Sequence, residues 1–340
     1  MIGGTSMQQT VKVNSRNPNI DYFRLVCALL VVAIHAHPFT DVHPLLGNLA
    51  TNVIPRIAVP FFFAAAGYYF IKSLRTGRGK VAQYVLRLLL LYIIWTVFYL
   101  LIDINHAVQT GRSVIRLFRR LWERFFFIGS VSHLWFFPAI IISALITAVS
   151  HKLKLLRFLP WAALAVYLFG CLCTSYSALA RQIPVLKVTI QHPDFNIYRR
   201  IFMMGLPFFT MGYYLGIEGF YKKSIAHIRL LLPFSVFLWA LEVFLIRYFQ
   251  LGSNIIITPF LYPMLMMVLV RLLYGPHGQY GKAAAFCRIA ANFTYYAHPY
   301  FMTLVKAGST KLYLFACACS LVGGFIIYKA NSKILNRLVM

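Results

Sequence analysis

DYFRLVCALLVVAIH, residues 21–35, carries an acid and a base at one end, a histidine at the other, and an apolar run between them. On an α-helix the step from Arg24 to His35 is close to three turns, so both side chains share one face, about 16 Å apart along the axis. That distance is half a bilayer. Ionisable groups are costly in hydrocarbon and sit against a partner or a cavity, so a cation near one surface and an imidazole nearer the other suggest a site that works across a membrane.

The rest of the chain supports a membrane setting. Of 340 residues, 60% are hydrophobic and 12% charged, with a mean hydropathy of +0.72, a mixture that a soluble domain cannot hide inside itself. The apolar runs are continuous and about twenty residues long, which argues for helical spans and against a β-barrel of short alternating strands. Lys and Arg number 33 against 7 Asp and Glu, a formal charge of +26. On a soluble protein this would point to nucleic acid. Here it reads as membrane topology, contact with anionic lipid and a phosphorylated ligand, with no nucleic-acid partner.

The expected fold is an all-α polytopic bundle of about ten transmembrane helices: 20–37, 49–71, 81–102, 134–150, 158–176, 200–217, 228–249, 255–273, 286–305 and 312–328. A tail (1–19), a transmembrane domain (20–330) and a second tail (331–340) follow from this division. An even count puts both termini on one side. With the termini cytoplasmic, the inner loops and tails hold 19 Lys and Arg and the outer regions 12, leaving Arg24 and Arg56 inside spans. The first apolar run follows its polar tail without a small-residue cleavage site, so it reads as an uncleaved first span.

Two outer segments stand apart. RSVIRLFRRLWERFFF, residues 112–127, repeats apolar residues at helical spacing opposite its arginines, the pattern of an amphipathic helix lying in the interface. Residues 177–198 form a polar connection with two prolines that could cover an acceptor site. The six cysteines lie in apolar runs and read as packing residues, with neither a disulfide framework nor metal-ligand spacing. No metal motif, Walker loop, dinucleotide glycine pattern or serine elbow is present.

Counting depth at about 1.5 Å per residue puts His35, Arg56 and Glu242 in one outer layer, with His298 somewhat deeper and His133 and Arg199 at the outer ends of their spans. Arg56, His133, Arg199 and His298 are candidate substrate-binding residues. His35 is the candidate general base, since a neutral imidazole can take a proton from a hydroxyl as that hydroxyl attacks an acyl carbon. Asp21 reads either as an ion-pair anchor for Arg24 or as a chemical group. Glu242 either orients an imidazole or satisfies Arg56 or Arg247. At the opposite surface, Arg24, Lys72, Arg87 and Arg288 could pair with donor phosphates, although positive-inside topology alone explains all of these except Arg24.

These residues fall in motifs that resemble the acyltransferase-3 family of polytopic membrane acyltransferases. Arg24 and His35 match the family's Arg, ten residues, His pattern in the first span, with Asp21 at its usual place before it. VPFFFAAAGYYF (59–70), HLWFFPAIII (133–142), RRIFMMGLPFFTMGYYLG (199–216) and YYAHPYF (295–301) continue the resemblance in order through nearly the whole chain. Ala66 stands where many relatives carry serine. Within the family, the similarity is greatest to the membrane half of the membrane-bound serine racemases of vancomycin-type resistance. Those proteins carry a further pyridoxal-phosphate domain, and a chain that stops about ten residues after its last span is not expected to racemise.

The resemblance implies transfer of an acyl group, usually acetyl, from cytoplasmic acyl-CoA to a hydroxyl of a cell-envelope carbohydrate or similar acceptor, in a bacterial cytoplasmic membrane. His35 would then be the base and Arg24 would help hold the donor, with acyl-CoA as co-substrate and no metal. The rival expectations are a carrier for a small molecule such as L-serine, in which the outer polar layer is a binding site, and a non-catalytic sensor or partner subunit.

Overall fold

The computed structural model describes residues 16–111, 113–126, 129–131, 133–192, 194–217, 226–252, 256–332 and 335. Every regular element among them is helical. In chain order they are α1 (Pro18–Ala36), α2 (Pro44–Asn48), α3 (Ala58–Thr76), α4 (Arg78–Gln109), α5 (Val114–Phe125), α6 (Phe136–Lys152), α7 (Leu159–Cys173), α8 (Ser177–Ala180), α9 (Pro184–Gln191), α10 (Phe195–Tyr198), α11 (Leu206–Leu215), α12 (Ile228–Tyr248), α13 (Leu261–Tyr274), α14 (Lys282–Thr303) and α15 (Ser309–Ala330). Each of the ten apolar runs contains helix among the described residues, although 174–176 and 256–260 lie outside it.

Six helical stretches are long and apolar enough to cross a membrane: Pro18–Ala36, Pro44–Thr76, Gly79–Gln109, Leu156–Cys173, Ile228–Tyr248 and Ser309–Ala330. Phe136–Lys152 and Leu261–Tyr274 are apolar but shorter. The 22-residue helix α14 is long enough yet more polar, carrying Lys282, Arg288, Asn292, Thr294 and His298. Its packing explains much of this: α14 lies between α1 and α15, and Thr294 and His298 are buried, while Lys282 at its start is exposed. The fold is that of an all-α polytopic membrane protein.

Helix α1 starts as its sequence dictates. Asn17 caps it by accepting from the Asn19 amide at 2.9 Å, and Pro18 fills the first position, where no backbone donor is needed. The same Asn17 amide donates to the carbonyls of Leu272 and Leu273, both at 3.0 Å, serving the last turn of α13. At the far end His37 closes α1 in the left-handed conformation. Beyond it Phe39 N donates to Thr310 Oγ1 at 2.8 Å, and Thr310 Oγ1 donates to Asp41, so the loop after α1 is clasped to the start of α15. Those hydrogen bonds hold the exposed Asp41 carboxyl below the usual carboxylate range.

Two backbones touch at the centre. A Cβ on Gly67 of α3 would stand 1.9 Å from the Phe209 carbonyl oxygen of α11, and one on Gly212 would stand 1.7 Å from that of Ala64. Only glycine at both positions permits this crossing. The sequences VPFFFAAAGYYF and GLPFFTMGYYLG are therefore a helix joint as well as a family signature.

Two helices are broken by π turns, Leu49–Val53 before α3 and Arg199–Gly205 before α11. The amphipathic segment forms α5 as expected, but the apolar side chains divide. Leu117 and Leu121 turn to the wall of a cavity of about 190 Å³ against α4, while Ile115, Phe118 and Trp122 stay exposed. All six cysteines are free, and Cys27, Cys171, Cys173 and Cys317 are buried packing residues.

Candidate active site

Helix α14 contains a proline near its far end, and Pro299 has no N–H to offer the carbonyl four residues earlier, that of Tyr295. His298 fills the vacancy. Its Nδ1 lies 3.0 Å from Tyr295 O and 3.0 Å from Thr294 O. Both partners only accept, so Nδ1 carries the proton and Nε2 is left as a bare lone pair. That Nε2 is fully buried and has no hydrogen-bond partner.

Two further imidazoles pack against it. The ring centroids of His35 and His298 are 5.3 Å apart, and those of His133 and His298 are 5.5 Å apart. His133 is 2% exposed, and neither of its ring nitrogens has a partner. Tyr99 stands edge-on to His133 at 5.2 Å, and its hydroxyl donates to Tyr296 O at 2.6 Å. The Tyr295 hydroxyl donates to His133 O at 2.8 Å. His35, by contrast, is exposed. The arrangement is thus one accessible imidazole backed by two buried ones, with three orphaned ring nitrogens between them. Buried polar atoms are normally satisfied, so a guest with donors is the natural complement. Among the described residues no group of three or more His, Cys, Asp or Glu is placed to hold a metal ion.

The other end of α1 is a second polar centre. Arg24 Nη1 pairs with Asp21 Oδ1 at 3.0 Å, and Tyr280 donates to Asp21 Oδ2 at 2.8 Å. Burial, followed by the Asp21 carboxylate, raises the pKa of the Tyr280 hydroxyl. Asp21 meeting Tyr280 at one end and His35 meeting His298 at the other make α1 and α14 parallel. In that register Arg288 stands level with Arg24, and its buried Nε has no partner. Arg24 and Arg87 both lie in electrostatic range of Tyr84 and Tyr296. The Lys72 side chain lies outside the described residues. Asp21, bound to Arg24 and Tyr280, is 2% exposed.

Glu242 does neither of the things expected of it. It orients no imidazole and pairs with neither Arg56 nor Arg247. Its carboxylate accepts from Tyr176 Oη at 2.8 Å and from Phe260 N at 2.9 Å, joining the connection before α13 to the end of α7. Arg56 instead donates to Asn52, through Nη2 to Oδ1 at 3.0 Å and through Nε to the carbonyl at 3.2 Å. Arg199 donates to Asn196 Oδ1 at 3.0 Å. Both lie apart from the imidazoles but near each other, with Arg200 beside Arg199. His133 and His298, read only as substrate contacts, are brought directly against His35.

The family model "Acyltransferase domain" of acyltransferase-3 matches residues 17–329, nearly the whole chain. This chain belongs to the acyltransferase-3 family. It is a multi-pass membrane protein. Among curated proteins this acyltransferase-3 chain is 32% identical over 177 residues to a serine/alanine racemase of Enterococcus gallinarum, covering 50% of this chain and 25% of that protein. It is also 29% identical over 177 residues to an amino-acid racemase of Enterococcus faecalis, covering 51% and 25%, and 27% identical over 215 residues to another, covering 62% and 30%. The matched part thus spans between a quarter and a third of the length of these relatives. No solved structure matches the chain.

Sequence reading passed over several residues of this acyltransferase-3 site. The His298–Pro299 dipeptide inside a helix announces a freed carbonyl and a side chain able to serve it. Tyr99, Tyr280 and Arg200 carried no comparable signal, because their roles depend on which helices pack together.

Proposed function

We propose that this protein moves an acyl group, acetyl by preference, from cytoplasmic acyl-CoA to a hydroxyl of a cell-envelope acceptor on the other side of a bacterial cytoplasmic membrane. Ten crossings with both termini cytoplasmic fit the basic-residue bias, and they put the Asp21 end inside and the His35 end outside. The observation that carries the reading is the parallel pair α1 and α14, with two arginines level at one end and an accessible imidazole backed by two others at the opposite end.

In this reading Arg24, Arg87 and Arg288, with Lys72, hold the phosphates of the donor. The unpartnered Arg288 Nε and the part of the Arg24 guanidinium not given to Asp21 suit an oxyanion. His35 takes the proton of the acceptor hydroxyl as its oxygen attacks the thioester carbon. The carbon–sulfur bond then breaks, and the proton passes to the departing thiolate. His298 Nε2 offers this base's surroundings an acceptor, and the His133 ring one acceptor and one N–H donor, in a site where they have no other partner.

The test is acyl-CoA binding and thiol release by purified protein in nanodiscs, comparing wild type with Arg24→Ala and His35→Ala. Binding with slow, His35-dependent thiol release is the expected result. No binding at millimolar donor by folded protein would overturn the reading. The racemase names of the curated relatives favour one rival, a carrier for an amino acid such as L-serine, and serine uptake into proteoliposomes would separate the two.

A further inference from the structure

The cavity of about 190 Å³ between α4 and α5 is walled on one side by Thr96, Leu100 and Asp103 and on the other by Leu117, Leu121 and Arg124. Each trio recurs at helical spacing and so occupies one face of its helix. Ser130 and Val131, from the segment after α5, close a third side. The 25 steps from Arg78 to Asp103 carry α4 about 37 Å along its axis, beyond a hydrocarbon thickness of about 30 Å. The charged wall of the cavity thus stands at the membrane rim, where an acid and a base can be hydrated.

The same segment leads to the imidazoles. Ser130 is pinned to α4 twice: its amide donates to Tyr92 Oη at 2.9 Å, and its hydroxyl meets Thr96 Oγ1 at 2.7 Å. Tyr92 Oη in turn donates to Phe125 O at 2.7 Å, so the end of α5 hangs on the same tyrosine. Val131 O accepts from Leu134 N at 3.0 Å, a turn that brackets His133. Tyr99, the residue before Leu100 on α4, stands edge-on to the His133 ring at 5.2 Å. The cavity and the imidazole cluster therefore share two walls, α4 and the segment carrying Ser130, Val131 and His133. A molecule seated in the cavity borders the buried His133 ring, whose two nitrogens have no partner.

The lining decides what fits. An apolar cavity of about 150 Å³ takes a benzene ring, so one six-membered ring has room here. A purely apolar ring would leave Asp103, Arg124 and the two hydroxyls facing hydrocarbon, which is costly. A cation would be repelled by Arg124 and an anion by Asp103. A neutral ring bearing several hydroxyls meets every group: its oxygens accept from the Arg124 guanidinium, and its protons go to the Asp103 carboxylate. The Thr96 and Ser130 hydroxyls spend one of their two protons on each other and keep the second to give. The C–H faces of such a ring lie against Leu100, Leu117, Leu121 and Val131.

We infer that the α4–α5 cavity binds an uncharged, polyhydroxylated ring and holds that part of the acceptor beside the imidazoles. The second half of this rests on the reading of the His35 end as the acceptor side.

The probes are D-glucose, cyclohexanol and L-serine, titrated by saturation-transfer NMR into the full chain in phosphatidylcholine nanodiscs, with empty discs as the blank. Glucose should bind at least about tenfold more tightly than cyclohexanol, the worth of two or three hydrogen bonds, and more tightly than the zwitterion L-serine. Leu121→Trp, which fills the cavity, should abolish glucose binding. Arg124→Met, a milder change at a half-buried position, should weaken it by about tenfold. Ile115→Ala, on the exposed face of α5, should leave it unchanged. Thermal unfolding reports whether each variant is folded. Equal binding of glucose and cyclohexanol, tighter binding of L-serine, or wild-type glucose binding by both folded Leu121→Trp and Arg124→Met overturns the inference. Acetyl-CoA binding by the same samples judges the donor reading separately. A wild-type protein that binds glucose but no acetyl-CoA keeps the cavity site and sinks the proposed reaction, and one that binds acetyl-CoA but no glucose does the reverse.

Discussion

His298 gives its Nδ1 proton to the carbonyl of Tyr295, 3.0 Å away, the one that Pro299 leaves without a backbone donor. A helix defect thereby becomes a device for fixing a tautomer. Structure and chemistry can be separated at this residue. His298→Asn keeps a donor near the Nδ1 position, whereas His298→Ala leaves the carbonyl unserved, so Ala should destabilise by about 1–3 kcal/mol and Asn by less. Both lose the Nε2 lone pair. Acyl transfer should fall in both, with acyl-CoA binding kept, as checked by thermal unfolding beside kcat and donor affinity.

His35→Ala should lower transfer by roughly 10²- to 10⁴-fold, the usual worth of a general base, with donor affinity largely unchanged. Arg24→Ala should act on donor binding instead. A His35 variant that transfers at the wild-type rate would end the proposed mechanism.

Glu242→Gln tests whether this buried acid is a structural acceptor. Its two oxygens take one proton each from Tyr176 and Phe260, and an amide cannot accept at both. A loss of about 1–3 kcal/mol is expected, with activity per folded molecule retained. Normal stability with lost activity would restore Glu242 as a catalytic candidate.

At the α3–α11 joint, Gly212→Ala forces a methyl group against backbone that cannot move alone. Overpacking of this kind costs about 1–3 kcal/mol or more, so unfolding in detergent should shift to lower temperature. Ala66→Ser, one residue before the Gly67 contact, should shift it far less.

The Asp41 clasp should be sensitive to acid. The folded carboxyl has a lowered pKa, so its contribution is present above the unfolded value of about 3.9 and is lost as pH falls through the folded one. Hydrogen exchange at the Phe39 and Thr310 amides should quicken below about pH 4. Asp41→Asn should abolish that pH dependence.

Much of this was legible in the sequence, for definite reasons. Continuous apolar runs must be helical to satisfy their backbones in lipid, so each of the ten marked a helix. The depth of His35, His133 and His298 followed from the fixed rise per residue, and the three do meet. Arg56 and Glu242 were assigned the same depth, yet depth says nothing about angle around the bundle: one faces Asn52 and the other Tyr176. The π turns before Arg56 and at Arg199 rotate everything after them and leave no mark in composition. Nothing in the sequence marks Tyr280, 259 residues away, as the holder of the second Asp21 oxygen.

Helix α1 is made long before the helices that complete its surroundings. Its two flanking neighbours, α14 and α15, come after all the other helices named above. Asn17 waits for the end of α13, Asp21 for Tyr280, His35 for His298, and the loop beyond for Thr310. A nascent chain stopped before Lys282 already contains Arg24 and His35 but lacks the second wall of the site. The surroundings of His35 thus stay unassembled until α14 has been made, and only then can the two ends of α1 meet their partners.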